Sequence, residues 1–159
     1  MSFFRNVSIA LVAAFAFNSA MAADIKLPEY QTVTLDNGAT VLLMPRKDVP
    51  LIAANVAVRG GALADAPGKE GTADLLGEML SKGAGSRTAL QFAQTVDGAG
   101  GNIGFGSSRE AINANAQFLS KDSGLMLSLL ADALLRPTMD AAEFDKLRKR
   151  AIDGIANAK

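Results

Sequence analysis

The chain has 159 residues, of which 49% are hydrophobic and 20% charged, with a formal net charge of zero and no Cys, His or Trp. That balance belongs to a globular protein rather than a disordered one, and the length suits one domain. Without Cys there is no disulfide and no thiol chemistry. Without His there is no imidazole to act as base or metal ligand.

Residues 1–22 have the build of a secretory signal peptide. Arg5 supplies the positive start, "VSIALVAAFAF" the apolar run, and Ala20-Met21-Ala22 the small-residue cleavage pattern. The apolar run is too short to span a bilayer comfortably. Cleavage after Ala22 leaves residues 23–159, which is 137 of the 159, read as one domain. Arg5 leaves with the signal, so 15 of the 16 basic residues face 16 acidic ones and the net charge is −1. That balance makes no electrostatic case for nucleic acid. The expected address is the periplasm, with no membrane anchor. The compartment permits disulfides, but a chain without Cys depends on its core alone.

In chain order, Tyr30 to Leu35 reads as a strand, Asp36-Asn37-Gly38 as a tight turn needing positive φ, and Ala39 to Met44 as the returning strand. Pro45 and Pro50 bracket a loop. Leu51 to Val58 reads as a third strand ending at Gly60-Gly61, and Pro67-Gly68 marks a turn.

From Glu70 the period becomes helical. A helical wheel places Ala73, Leu75, Leu76, Met79 and Leu80 on one arc, and Asp74, Gly77, Glu78, Ser81 and Lys82 on the other. A second helix spans Thr88 to Asp97, with Gly98 at its cap. Two strands follow within "GNIGFGSSREAINANAQFL", the second alternating Ile112, Ala114, Ala116 and Phe118. Asp122 or Ser123 can cap a helix through Leu135, apolar nearly all round and expected to be buried. Pro137 breaks it. Asp140 with Glu143 resembles a capping box opening a last helix with Phe144, Leu147, Ala151, Ile152 and Ile155. Its pattern still runs at Lys159, which is read as a truncated domain.

Three chemical candidates arise. "GAGGNIGFG", Gly98 to Gly106, lacks the Lys-Ser/Thr ending of a phosphate loop, so a helix cap followed by a small-residue strand is the better reading. Ser107 and Ser108 have no His base and no Lys in a recognisable motif to activate them. Asp74 and Glu78, one helical turn apart, are close enough to share a cation or divide acid–base roles. They fit equally a solvated helix face, where Lys82 offsets their repulsion. Gly77 inside the helix costs about 1 kcal/mol against Ala. It reads as close approach by a neighbouring segment, as neutral drift, or as a cleared cleft for a bound peptide.

Four stretches in order, "TVTLDNGATVLLMPRKDVPLIAANVAVRGGALAD", "KEGTADLLGEMLSKGA", "DGAGGNIGFGSSREAINANAQFLSKDSGLMLSLLADALLRP" and "FDKLRKRAIDGI", resemble the N-terminal domain of the insulinase-like or pitrilysin-like M16 zinc peptidases. The resemblance covers roughly Gln31 to Ile155. It rests on the Asp36-Asn37-Gly38 hairpin, the glycine before the motif helix, Met79-Leu80 followed by Lys82-Gly83, Gly100-Gly101-Asn102 and the Arg136-Pro137 break. It implies an α+β fold, a mostly antiparallel sheet with helices packed on it, incomplete at the C-terminus.

Active members of that family carry an inverted zinc motif, His-x-x-Glu-His, on this helix, with a later Glu completing the site. By the resemblance, Asp74 stands at the first His, Gly77 at the general-base Glu, Glu78 at the second His and Gly154 at the later Glu. Every catalytic position is replaced. Two carboxylates make a harder oxygen site suited to calcium, magnesium or manganese, and Gly77 offers no base. The resemblance therefore implies no zinc cofactor and a silent chain. Such a chain acts as partner of an active M16 homologue, or as a homo-oligomer, and holds a peptide at an exposed sheet edge with Gly101, Asn102, Gly104 and Gly106. Two alternatives stay open: a metal-dependent peptidase with Asp74 and Glu78 as ligands, and a fragment without independent function.

Overall fold

A computed structural model describes residues 28–157. The expected signal peptide, residues 1–22, lies outside them. The described residues divide into two compact units, one ending at Arg46 and the other beginning at Lys47.

In the first unit β1 (Gln31–Thr34) and β2 (Thr40–Leu43) form an antiparallel hairpin, with Gln31 opposite Leu43 and Thr34 opposite Thr40. Gly38 takes φ +81° and the Asn37 side chain accepts from the Ala39 N–H at 3.0 Å. The positive-φ demand therefore falls on Gly38 alone, while Asn37 acts through its side chain.

In the second unit β3 (Leu51–Arg59), β6 (Asn102–Ser107) and β7 (Ala111–Leu119) form an antiparallel sheet in the order β3-β7-β6. Leu51 pairs with Leu119 through to Arg59 with Ala111, and Asn102 pairs with Gln117 through to Ser107 with Ile112. The alternation of β7 sends Ile112, Ala114, Ala116 and Phe118 inward. Over them pack Phe92 and Val96 of α2 (Ala89–Gly98) and Met126, Leu129, Leu130 and Ala133 of α3 (Ser123–Leu135). Before these helices come α1 (Thr72–Met79) and a two-residue pair, β4 (Gly83–Ala84) with β5 (Arg87–Thr88); α4 (Ala141–Asn157) closes the described residues. The fold is the expected α+β arrangement, with helices against one face of an antiparallel sheet. Among the described residues no helix is long and apolar enough to cross a membrane.

Three expectations are corrected here. First, α3 is not buried all round, because Leu127 is 56% and Leu135 79% exposed. A helix in a single layer over a sheet has only one face to bury. Likewise in α4 Leu147 is buried, whereas Ile152 and Ile155 are exposed. Second, Gly98 is the last residue of α2 and not its left-handed cap. Gly100 takes φ +63°, with its N–H bonded to the Asp97 carbonyl and the Gly101 N–H to that of Val96. Those two bonds form a Schellman cap, two residues later than expected. Third, neither Asp122 nor Ser123 caps α3. The helix is entered through a 3₁₀ turn at Ser120–Asp122, and the Asp122 carboxylate holds Lys121 instead.

The start of α2 has a full capping box. Thr88 Oγ1 accepts from the Gln91 N–H, and Gln91 Oε1 accepts from the Thr88 N–H at 2.9 Å. At α4, Asp140 accepts from the Glu143 N–H at 3.0 Å, but the Glu143 carboxylate takes Lys146 and does not reach back.

One charge lies in the core. Asp132, on the inward face of α3, is 5% exposed. It accepts from Arg87 Nη1 at 3.0 Å and from Arg136 Nη2 one turn on. Gly85, at φ +60°, closes over it: a Cβ there would stand 2.8 Å from Asp132 Oδ2. The paired guanidinium groups make this burial tolerable. Asp132→Ala removes both charge-assisted bonds and lowers the unfolding free energy by about 2 kcal/mol. The effect is read as a lower urea midpoint at unchanged slope.

Candidate functional site

The site begins with the turn before α1. Gly71, at φ +93°, occupies the N-cap position and has no side chain to cap with. Asp65 caps from a distance, its Oδ2 accepting from the Gly71 N–H at 2.8 Å and its Oδ1 from the Ala73 N–H at 2.9 Å. Those are orphan donors of a helix start, and the negative charge suits the positive end of the dipole. Beside it, Glu70 Oε1 accepts from the Gly68 N–H at 3.0 Å. Its own backbone N–H and that of Gly68 hold the Glu70 carboxyl below its usual value.

On α1, Ala73, Met79 and Leu80 are buried as the periodicity requires. Two residues depart from the wheel: Gly77 is buried and Leu76 is 37% exposed. The cause is β6, which passes beneath the Gly77 side. A Cβ on Gly77 would stand 2.8 Å from the Gly106 carbonyl carbon and 3.0 Å from both Gly106 Cα and Ser107 N. Of the readings of Gly77, close approach is the one the structure has. The volume of a cleared cleft is filled by strand backbone.

Asp74 and Glu78 remain exposed and have different partners. Ser107 Oγ donates to Asp74 Oδ1, while Arg150 Nη1 of α4 lies 3.8 Å from Glu78 Oε2. Gly154 lies one turn beyond Arg150 on α4, exposed, with open space where a Cβ would be. Among the described residues no three His, Cys, Asp or Glu side chains gather to hold a metal ion. The groups present do not fit zinc: there is no imidazole or thiolate, one carboxylate is hydrogen-bonded to a serine, and the other faces a guanidinium. Gly77, between them, has no group to accept a proton.

The candidate peptide-binding residues lie on or just before β6, whose only strand neighbour among the described residues is β7. Gly101 lies against the Phe118 ring, where a Cβ would come within 2.4 Å. Gly104 faces the Asn115 amide at 2.9 Å by the same measure, and Gly106 faces open space. Two grooves flank the start of the strand and share Gly101 and Asn102. One, of about 300 Å³, is lined among others by Phe92, Val96, Ile103, Lys82 and Asp97, and the other, of about 160 Å³, by Leu51 and Phe118.

Sequence reasoning missed Asp65, Ser107 as a partner of Asp74, and Arg150. Asp65 precedes its helix by too many residues for a capping pattern to reveal it. Arg150 carried one usable signal, its position four residues before Gly154.

Comparison with known proteins gives the family and supports the fold. The family model of the insulinase family, peptidase M16, matches residues 41–159. An uncharacterised zinc protease of Rickettsia bellii is 30% identical over 125 residues, covering 79% of this chain and 30% of that protein. The mitochondrial-processing peptidase subunit beta of Blastocladiella emersonii is 27% identical over 149 residues, covering 93% of this chain and 31% of its own. The crystal structure of a peptidase M16 inactive domain from Pseudomonas fluorescens superposes with a TM-score of 0.75 at 24% identity, over 79% of this chain and 31% of that one. The chain belongs to the insulinase family, peptidase M16. It spans about a third of the length of the curated relatives it matches.

Two outcomes test the helix start. Asp65→Ala costs about 1 kcal/mol, read from urea denaturation, because two helix donors lose their acceptor. Glu70 contributes stability above its unfolded value, and that contribution is lost as the pH falls through its depressed folded value, below the ordinary 4.5. Glu70→Gln therefore flattens the acid limb of stability against pH without moving the neutral plateau's pH dependence.

Proposed function

We propose that this chain is an exported, catalytically silent M16 peptidase-like protein that holds extended peptides and serves an active M16 homologue as its non-catalytic partner. The observation that carries the reading is β6: its one strand neighbour among the described residues is β7, and α1, with Asp74, Gly77 and Glu78, packs against it.

An edge strand offers main-chain donors and acceptors to a peptide laid alongside, and affinity gained that way depends little on side chains. Gly106 adds no side chain to that strand, and the space where its Cβ would be is open. The grooves on either side of Gly101 and Asn102 have room for peptide side chains, one with apolar Phe92, Val96 and Ile103 beside charged Lys82 and Asp97. The residues' part is to bind and orient; none is placed to activate water. Arg5, the apolar run and Ala20-Met21-Ala22 support export and a periplasmic address. A second copy of this chain is the other partner compatible with an open edge.

Titration with a short, uncharged, fluorescein-labelled peptide is expected to give saturable binding, weakened by at least tenfold when alternate amides are N-methylated, and no cleavage by mass spectrometry. Elemental mass spectrometry of protein refolded with zinc or manganese is expected to find sub-stoichiometric metal. Stoichiometric metal lost in Asp74→Ala, together with peptide cleavage, overturns the silent reading and makes the chain a metal-dependent peptidase with carboxylate ligands.

A further inference from the structure

We infer that the three replaced positions of the motif helix now work together as a clamp that positions β6, the strand along which a peptide is captured. The inference rests on the peptide-holding reading for its purpose, and on three contacts for its substance.

Asp74, Gly77 and Glu78 lie at i, i+3 and i+4, so their contacts come from adjacent turns of α1. Gly77 rests on the backbone of Gly106 and Ser107. Asp74 accepts from the hydroxyl of Ser107, the next residue along the strand. Together they fix α1 against β6 at two points, one setting its distance and the other its rotation. Glu78 faces Arg150 at 3.8 Å and ties the same turn to α4.

β6 has one strand neighbour among the described residues, so its second anchor is the helix lying over it. The exposed Glu78–Arg150 pair is the weakest of the three contacts, because solvent screens it. The backbone contact at Gly77 is the strongest, because strand backbone has no rotamer by which to yield. Where a peptidase of this family would place a general base, this chain has a contact that excludes one. A Glu side chain at 77 needs β6 to move away from α1.

Asp74, Ser107 and Gly77 are on this account positioning residues for peptide capture. They act through the strand and do not touch the peptide.

Hydrogen exchange of the full chain, followed by mass spectrometry, tests this. Asp74→Ala and Ser107→Ala are expected to raise exchange in residues 102–107 about fivefold, the equivalent of one hydrogen bond, while residues 51–59 of β3 stay at the wild-type rate. Asp74→Asn, which keeps an acceptor for the Ser107 hydroxyl, restores protection. Gly77→Ala gives the larger opening of β6 despite its gain in helix propensity. Affinity for the uncharged labelled peptide falls in step with β6 exchange across the series. Unchanged exchange in residues 102–107 of both Asp74→Ala and Ser107→Ala overturns the clamp, as does a uniform rise through β3 and β7. If β6 responds as stated but the wild-type chain binds no peptide, the clamp holds and the peptide-holding function falls.

Discussion

A helix can lie against the backbone of a strand at van der Waals distance only where the helix presents no side chain. Gly77 provides that place. A Cβ there would come within 2.8 Å of the Gly106 carbonyl carbon, closer than real Cβ atoms come to a backbone. The approach brings α1 onto the end of β6, puts Asp74 within reach of Ser107 and turns Glu78 toward Arg150. It also reverses the expected exposure of two residues, burying Gly77 and leaving Leu76 partly in water. A helix-interior glycine costs about 1 kcal/mol in propensity, and here the close packing offsets it.

The rest of the second unit depends on polar groups satisfied over separations from one helical turn, Asp132 to Arg136, to 45 residues, Arg87 to Asp132. Asp65 supplies the cap that Gly71 cannot, and Asp132 holds Arg87 and Arg136 beneath Gly85. Both acids serve segments that approach them only in the folded chain. The apolar core supplies the attraction, with Phe118, Met126 and Leu129 fully enclosed between sheet and helices, and these polar contacts select one arrangement of it.

The chain keeps the architecture of its family. An M16 peptidase needs ligands for a metal and a base beside it. On α1 and α4 this chain has two carboxylates with partners of their own, Asp74 and Glu78, and two glycines, Gly77 and Gly154. Main-chain capture at a sheet edge asks for none of these. Chemistry requires particular side chains, whereas strand addition requires only an accessible backbone.

Much of the fold was legible in residue order. The β7 alternation, the Asp36-Asn37-Gly38 hairpin and the four α-helices follow from local period and turn chemistry. These are properties of neighbours in sequence. The depth of Gly77, the open side of α3 at Leu127 and Leu135, the displaced cap at Gly100 and the partners of Asp74, Glu78 and Asp132 were decided by tertiary structure. Helical periodicity shows that a helix has two faces, but the burial of any one residue depends on what lies opposite it. Asp74 and Ser107 are 33 residues apart, and no local pattern specifies that they meet. Only the packing of α1 across the end of the sheet brings that pair together.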